Sequence, residues 1–147
     1  MGRRKMLYII AAAMILLITA AFIAFGDESV DVKNAEFLAG YGWEVSEKAI
    51  ETANVNIPEP FDLVYENYNK MQIDAGLDLR PYAGMKAVRY TYEVLNFPYD
   101  EPENVRANVL CVDDEPVAGD VMTVAADGFM AGLDFLEKNE LDKDGEI

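Results

Sequence analysis

The sequence predicts an α+β domain: an antiparallel three- to four-stranded sheet packed by about three helices, preceded by one N-terminal transmembrane helix. Three observations carry this expectation. Apolar and polar residues alternate in closely spaced stretches between Val88 and Val124. Apolar residues recur at intervals of three and four after Val32, Phe61 and Phe129. An unbroken apolar run opens the chain. Strands with a wet and a dry face, covered on the dry side by helices, are a stable way for such elements to bury their apolar surface.

The apolar run extends from Met6 to Phe25, interrupted only by Tyr8 and Thr19. As a helix it is about 30 Å long, the thickness of a hydrocarbon core. Arg3, Arg4 and Lys5 precede it, and Asp27, Glu28 and Asp31 follow. The positive-inside rule therefore keeps the N-terminus in the cytoplasm and puts the rest of the chain outside. The alternative is a signal peptide cleaved near Gly26, where Ala24-Phe25-Gly26 has small residues at the right spacing. The run is longer than the usual 7–15 residues of a signal core, which favours an uncleaved anchor. The expected organisation is a basic cytoplasmic flank (1–5), an anchor (6–26), a spacer (27–31), an extracytoplasmic domain (32–139) and a disordered tail (140–147).

Charge and composition narrow the function. The chain holds 27 acids against 12 bases, a net charge of −15. Because Arg3, Arg4 and Lys5 precede the anchor, the outer part is more acidic still. Such a surface repels nucleic acid, and its plainest role is to keep the domain soluble. With no histidine, Ser-His-Asp and Cys-His catalysis and histidine-ligated metals are excluded. The one cysteine, Cys111, cannot form an internal disulfide, and its place in an apolar strand pattern reads as a small buried hydrophobe.

Along the outer part, Val32, Ala35, Phe37, Leu38 and Tyr41 share a helical face, and Gly42 is placed to close that helix in the left-handed conformation. Ala53, Val55 and Ile57 alternate as a strand ending at Pro58. Phe61, Val64, Tyr65, Tyr68, Met71 and Ala75 form one apolar stripe on a second helix, read as core packing, with Gly76 ending it. Three strands then form a meander. Val88, Tyr90, Tyr92 and Val94 alternate with Arg89, Thr91 and Glu93; Val105, Ala107, Val109 and Cys111 alternate with Arg106 and Asn108; Val117 to Val124 returns. Phe129, Met130, Leu133 and Leu136 predict a C-terminal helix.

The candidate binding surface is the polar face of that meander: Arg89, Thr91, Glu93, Arg106 and Asn108. If the two arginines converge, they can grip a carboxylate or phosphate. The plainer reading is cross-strand pairing with neighbouring acids. Asp113, Asp114, Glu115 and Asp120 cluster near one turn and read as solvated turn residues rather than a cation site. Asp142-Lys143-Asp144-Gly145 imitates the first half of a calcium loop, but such a loop needs a glutamate about six residues after its glycine, and with Ile147 so soon after Gly145 it is not expected to close. No catalytic residue, metal ligand or cofactor is expected, although paired carboxylates acting on a cell-wall polymer are a chemistry that the acid-rich chain does not exclude.

Asn34-Ala35-Glu36-Phe37-Leu38, Tyr41-Gly42-Trp43, Ile57-Pro58, Tyr68-Asn69, Arg89-Tyr90-Thr91-Tyr92, Val105-Arg106-Ala107-Asn108-Val109, Gly119-Asp120 and Asp127-Gly128-Phe129-Met130 together resemble an uncharacterised bacterial domain-of-unknown-function family. That resemblance implies short single-span membrane proteins of Gram-positive anaerobes, carries no activity, and adds Asp120 to the candidate ligand-binding residues. The expected function is a non-enzymatic, membrane-anchored binding or interaction module whose partner is an envelope protein or a small ligand. The alternatives are a small carboxylate-dependent enzyme and a structural subunit of an envelope complex.

Overall fold

The computed structural model describes residues 29–99, 104–125 and 128–144, together with Gly2. The predicted span therefore lies outside the described residues. Among the described residues, no helix is long and apolar enough to cross a membrane.

Helix α1 (Val30–Ala39) starts two residues before the apolar periodicity because Ser29 caps it, its hydroxyl accepting the Val32 N–H. Leu38 and Asn34 point inward from it. Gly42 adopts the expected left-handed conformation (φ +85°), which turns the chain so that Trp43 enters the core. Strand β1 (Glu51–Asn56) follows, then α2 (Leu63–Asp74), capped by Asp62 through the Tyr65 N–H at 2.8 Å. A short 3-10 turn (Arg80–Tyr82) leads into β2 (Lys86–Glu93), β3 (Val105–Val112) and β4 (Glu115–Thr123). β3 and β4 are joined by Asp113 and Asp114, both left-handed (φ 50° and 60°), the conformation a two-residue hairpin turn requires. A short strand β5 (Met130–Gly132) and helix α3 (Phe135–Asp144) complete the described chain.

The fold is α+β, with five antiparallel strands in the order β1-β2-β3-β4-β5 and three helices among the described residues. One strand more than expected is present at the C-terminal side. Phe129 and Met130, read as helical from their spacing, lie instead on the approach to β5 and in it, and α3 begins only at Phe135. The outer edge of β4 needs hydrogen-bond partners, and this segment supplies them: β5 pairs with residues 120–122, and Thr123 N–H donates to Phe129 O at 3.0 Å. The polar tail expected to be disordered from residue 140 is helical as far as Asp144.

The sheet is covered on both faces, which corrects the expectation of one wet and one dry face. On the first face, Leu38, Trp43, Tyr92, Ala107, Val109, Val121 and Leu133 form the larger apolar cluster, against which Phe129, Phe135 and Leu136 pack. On the second, Ile57, Leu79, Ala87, Leu110, Val117 and Ala118 form a smaller cluster backed by Phe61, Tyr65 and Tyr68. The second cluster covers only part of its face, and Arg89, Thr91, Asn108 and Asp120 lie on that same face beside it.

Candidate functional site

Strand register lines up a row of polar residues across the second face. Thr91 of β2 lies opposite Asn108 of β3, and Asn108 lies opposite Asp120 of β4. Direct opposition brings their side chains within bonding reach. The Thr91 hydroxyl donates to Asn108 Oδ1 at 2.7 Å, and Asn108 Nδ2 donates to Asp120 Oδ1 at 2.9 Å. From α2, the Tyr68 hydroxyl donates to Asp120 Oδ2 at 2.8 Å. All three row residues are buried, Asp120 to 4% exposure. Burial pushes the Asp120 carboxyl above the usual carboxylate range, while the two hydrogen bonds and the Arg89 charge pull it back. Tyr68, buried beside that carboxyl, is pushed well above the ordinary phenol value and stays a donor.

Helix α2 is held over this row by its own buried amides rather than by the apolar stripe alone. Gln72 donates from Nε2 to Gly119 O at 2.8 Å and accepts the Gly119 N–H at 3.0 Å. Beside the three-residue β5, it thus satisfies the backbone of β4 as a neighbouring strand would. Gly119 leaves room for Leu133, whose Cδ1 would lie 2.9 Å from any Cβ there. One turn earlier, Asn69 accepts the Leu79 N–H at 2.7 Å and donates to Asp78 at 2.9 Å, which ties down the segment after the helix.

Between α2 and the sheet lies a groove of about 380 Å³. Its polar lining is Arg89, Asn108, Asp120 and Tyr68; its apolar lining includes Val55, Val64, Leu110, Met122 and Met130. Val64 and Met130, at 72% and 55% exposure, stand at the rim. Arg89 uses Nη2 to bond Glu51 Oε1 at 2.9 Å, and its buried Nε has no hydrogen-bond partner among the described residues. An apolar concavity with a few converging polar groups is the usual form of a small-ligand site.

Of the six sequence candidates, Arg89, Asn108 and Asp120 line the groove, and Thr91 braces Asn108 from behind. Glu93 and Arg106 do not share it. They face each other one row further along, 4.0 Å apart, and Arg106 also donates to Val105 O. The two arginines therefore do not converge: Arg89 pairs in register with Leu110, while Arg106 pairs with Glu93. Tyr68, Val64, Met122 and Met130 were missed. The signal for the first two was their place on the α2 stripe, where spacing cannot separate a residue facing the core from one facing a cleft.

A larger depression of about 660 Å³ lies at the other end of the sheet, lined by Asn54, Lys86, Cys111, Asp113 and Asp114 among others. Its thiol donates to Asn34 Oδ1 at 3.1 Å and is pushed up to about 11 by burial, so it is an inert group. The depression is predominantly polar and offers no comparable apolar seat. The acids near the hairpin turn do not gather: Glu115 pairs with Lys33, while Asp120 sits in the buried row. Among the described residues, no group of three acids or thiols is placed to hold a metal ion.

No curated protein matches the chain, and no solved structure does. Residues 37–121, more than half of the chain and the stretch carrying Arg89, Asn108 and Asp120, match the family described as Domain of unknown function (DUF4830), and the chain belongs to that family.

Proposed function

We propose that this chain is a non-enzymatic binding module on the outer face of a Gram-positive cell membrane, and that the groove between α2 and the sheet takes its ligand. The anchor in this reading is the apolar run within residues 6–26, oriented by Arg3, Arg4 and Lys5. Secretion after cleavage near Gly26 is the alternative. The observation that carries the groove assignment is convergence: Arg89, Asn108 and Asp120, from three strands, meet Tyr68 of α2 beside apolar lining open to solvent. A carboxylate-pair enzyme is the weaker reading, because Asp120 is the one acid that lines the groove among the described residues, and such chemistry uses two. The strongly acidic surface turns nucleic acid away.

The test is site-specific photocrosslinking of the intact chain in its own membranes, with the photoreactive residue at Val64 or at Leu95. Both positions are exposed, and Leu95 does not line the groove. The expected result is an adduct at Val64 that is absent at Leu95. A small-molecule adduct identifies a ligand, and a protein adduct identifies an envelope partner. Equal labelling at both positions, or none at Val64, overturns the groove as the binding site.

A further inference from the structure

Resting on the groove assignment above, we infer that the ligand is an amphiphilic carboxylate, with its apolar body seated against Val64, Leu110, Met122 and Met130 and its carboxylate held by Arg89 in place of Glu51. Arg89 carries the argument. A guanidinium binds a carboxylate best side-on, through two parallel N–H bonds. In this fold the Nε/Nη2 edge is half used: Glu51 occupies Nη2 through one oxygen, and Nε donates to nothing among the described residues. A buried donor left without an acceptor opposes folding, so the position favours an oxygen brought from elsewhere.

Glu51 is a weak holder of the place. Its side chain is 62% exposed and that of Arg89 is 42% exposed, and an ion pair so open to water contributes little. Asp120 is the opposite case. Each of its oxygens already accepts a hydrogen bond, from Asn108 and from Tyr68, and only 4% of the residue is exposed. The spare capacity in the groove is thus cationic. The apolar side chains around it, two of them at an exposed rim, suit a hydrocarbon body better than a fully polar anion such as inorganic phosphate.

Methionine methyl resonances read this directly. Met122 and Met130 line the groove, whereas Met85 does not. The full chain, labelled with 13C-methyl methionine in phospholipid nanodiscs, would be titrated with octanoate, octylammonium and octanol. Octanoate is expected to shift Met122 and Met130 saturably and to leave Met85 in place. Glu51→Gln, which frees Arg89, is expected to tighten octanoate binding about two- to fivefold. Arg89→Gln is expected to weaken it at least tenfold. Because Glu51→Gln alters only an exposed residue, it remains informative even where the arginine variant folds poorly. Octylammonium or octanol shifting the groove methyls as strongly as octanoate would overturn the inference, as would unchanged affinity in Glu51→Gln. Silence with all three probes, alongside a Val64-specific crosslink, would reject this ligand class and leave the groove assignment standing.

Discussion

On the α1 and α3 side of the sheet the apolar cluster around Trp43 is closed, whereas on the α2 side the cover is left partly open. The closed side packs Trp43 against Phe135 with ring centroids 6.3 Å apart and stacks Phe129 on Phe135 at 5.4 Å. Beneath α1, polar side chains are joined in a chain. The Cys111 thiol donates to Asn34, Asn34 donates to the Tyr92 hydroxyl, and Tyr92 donates to Asp31. The open side buries a carboxyl, leaves one arginine nitrogen without an acceptor, and keeps apolar side chains at a solvent-facing rim. Closed packing of the first kind stabilises a fold, while an opening with spare hydrogen-bonding capacity is what a binding surface needs. In the proposed reading the two faces of one sheet divide these tasks, and substitutions should separate them.

The largest effect is expected at the centre of the closed side. Trp43 is 1% exposed, and its indole N–H donates to Leu133 O at 2.8 Å. Trp43→Ala should destabilise the domain by about 3–5 kcal/mol in urea denaturation of the full chain. A loss below about 1 kcal/mol would break the comparison, because the supposed keel of the fold would then be dispensable.

Next in size is Gln72→Ala. It strips partners from both the N–H and C=O of Gly119 and should cost about 1–3 kcal/mol for each group that water cannot reach. It should also loosen α2, so that amide exchange rises along that helix before it rises in β3. Uniform exchange across the domain would mean that α2 is not separately held.

The smallest effect, and the sharpest, concerns acid. The folded chain holds the Asp120 proton up to a higher pH than the unfolded chain does. The ionised group therefore opposes folding at neutral pH. Its opposition is relieved as pH falls through the raised folded value toward the ordinary carboxylate value. Asp120→Asn should flatten that part of the stability–pH profile. A profile running parallel to the original would show that Asp120 is not the group responsible.

The elements on the closed side were readable because their periodicity is strong. The alternation from Val88 to Val94 and from Val105 to Cys111 announced β2 and β3, and Val109 and Cys111 are buried as that alternation requires. Local patterns misled at two places. Phe129, Leu133 and Leu136 have helical spacing, yet their partners in the aromatic stack and along the edge of β4 draw the chain through a strand first. Asn69 and Gln72 look like surface residues of α2, yet they are its buried contacts, because each finds backbone groups to satisfy.

The sequence by itself determined the α+β class, the strands up to β4, the acidity, and the absence of histidine chemistry, since these follow from residue type and from periods of two and of three to four. It also singled out Arg89, Asn108 and Asp120. Only the tertiary structure decided that these three share a groove while Arg106 does not. That outcome depends on strand register and on where α2 lands. A shift of one residue in register would send Thr91, Asn108 and Asp120 to the other face, and no local pattern in the chain states which residue of β2 lies opposite which residue of β3.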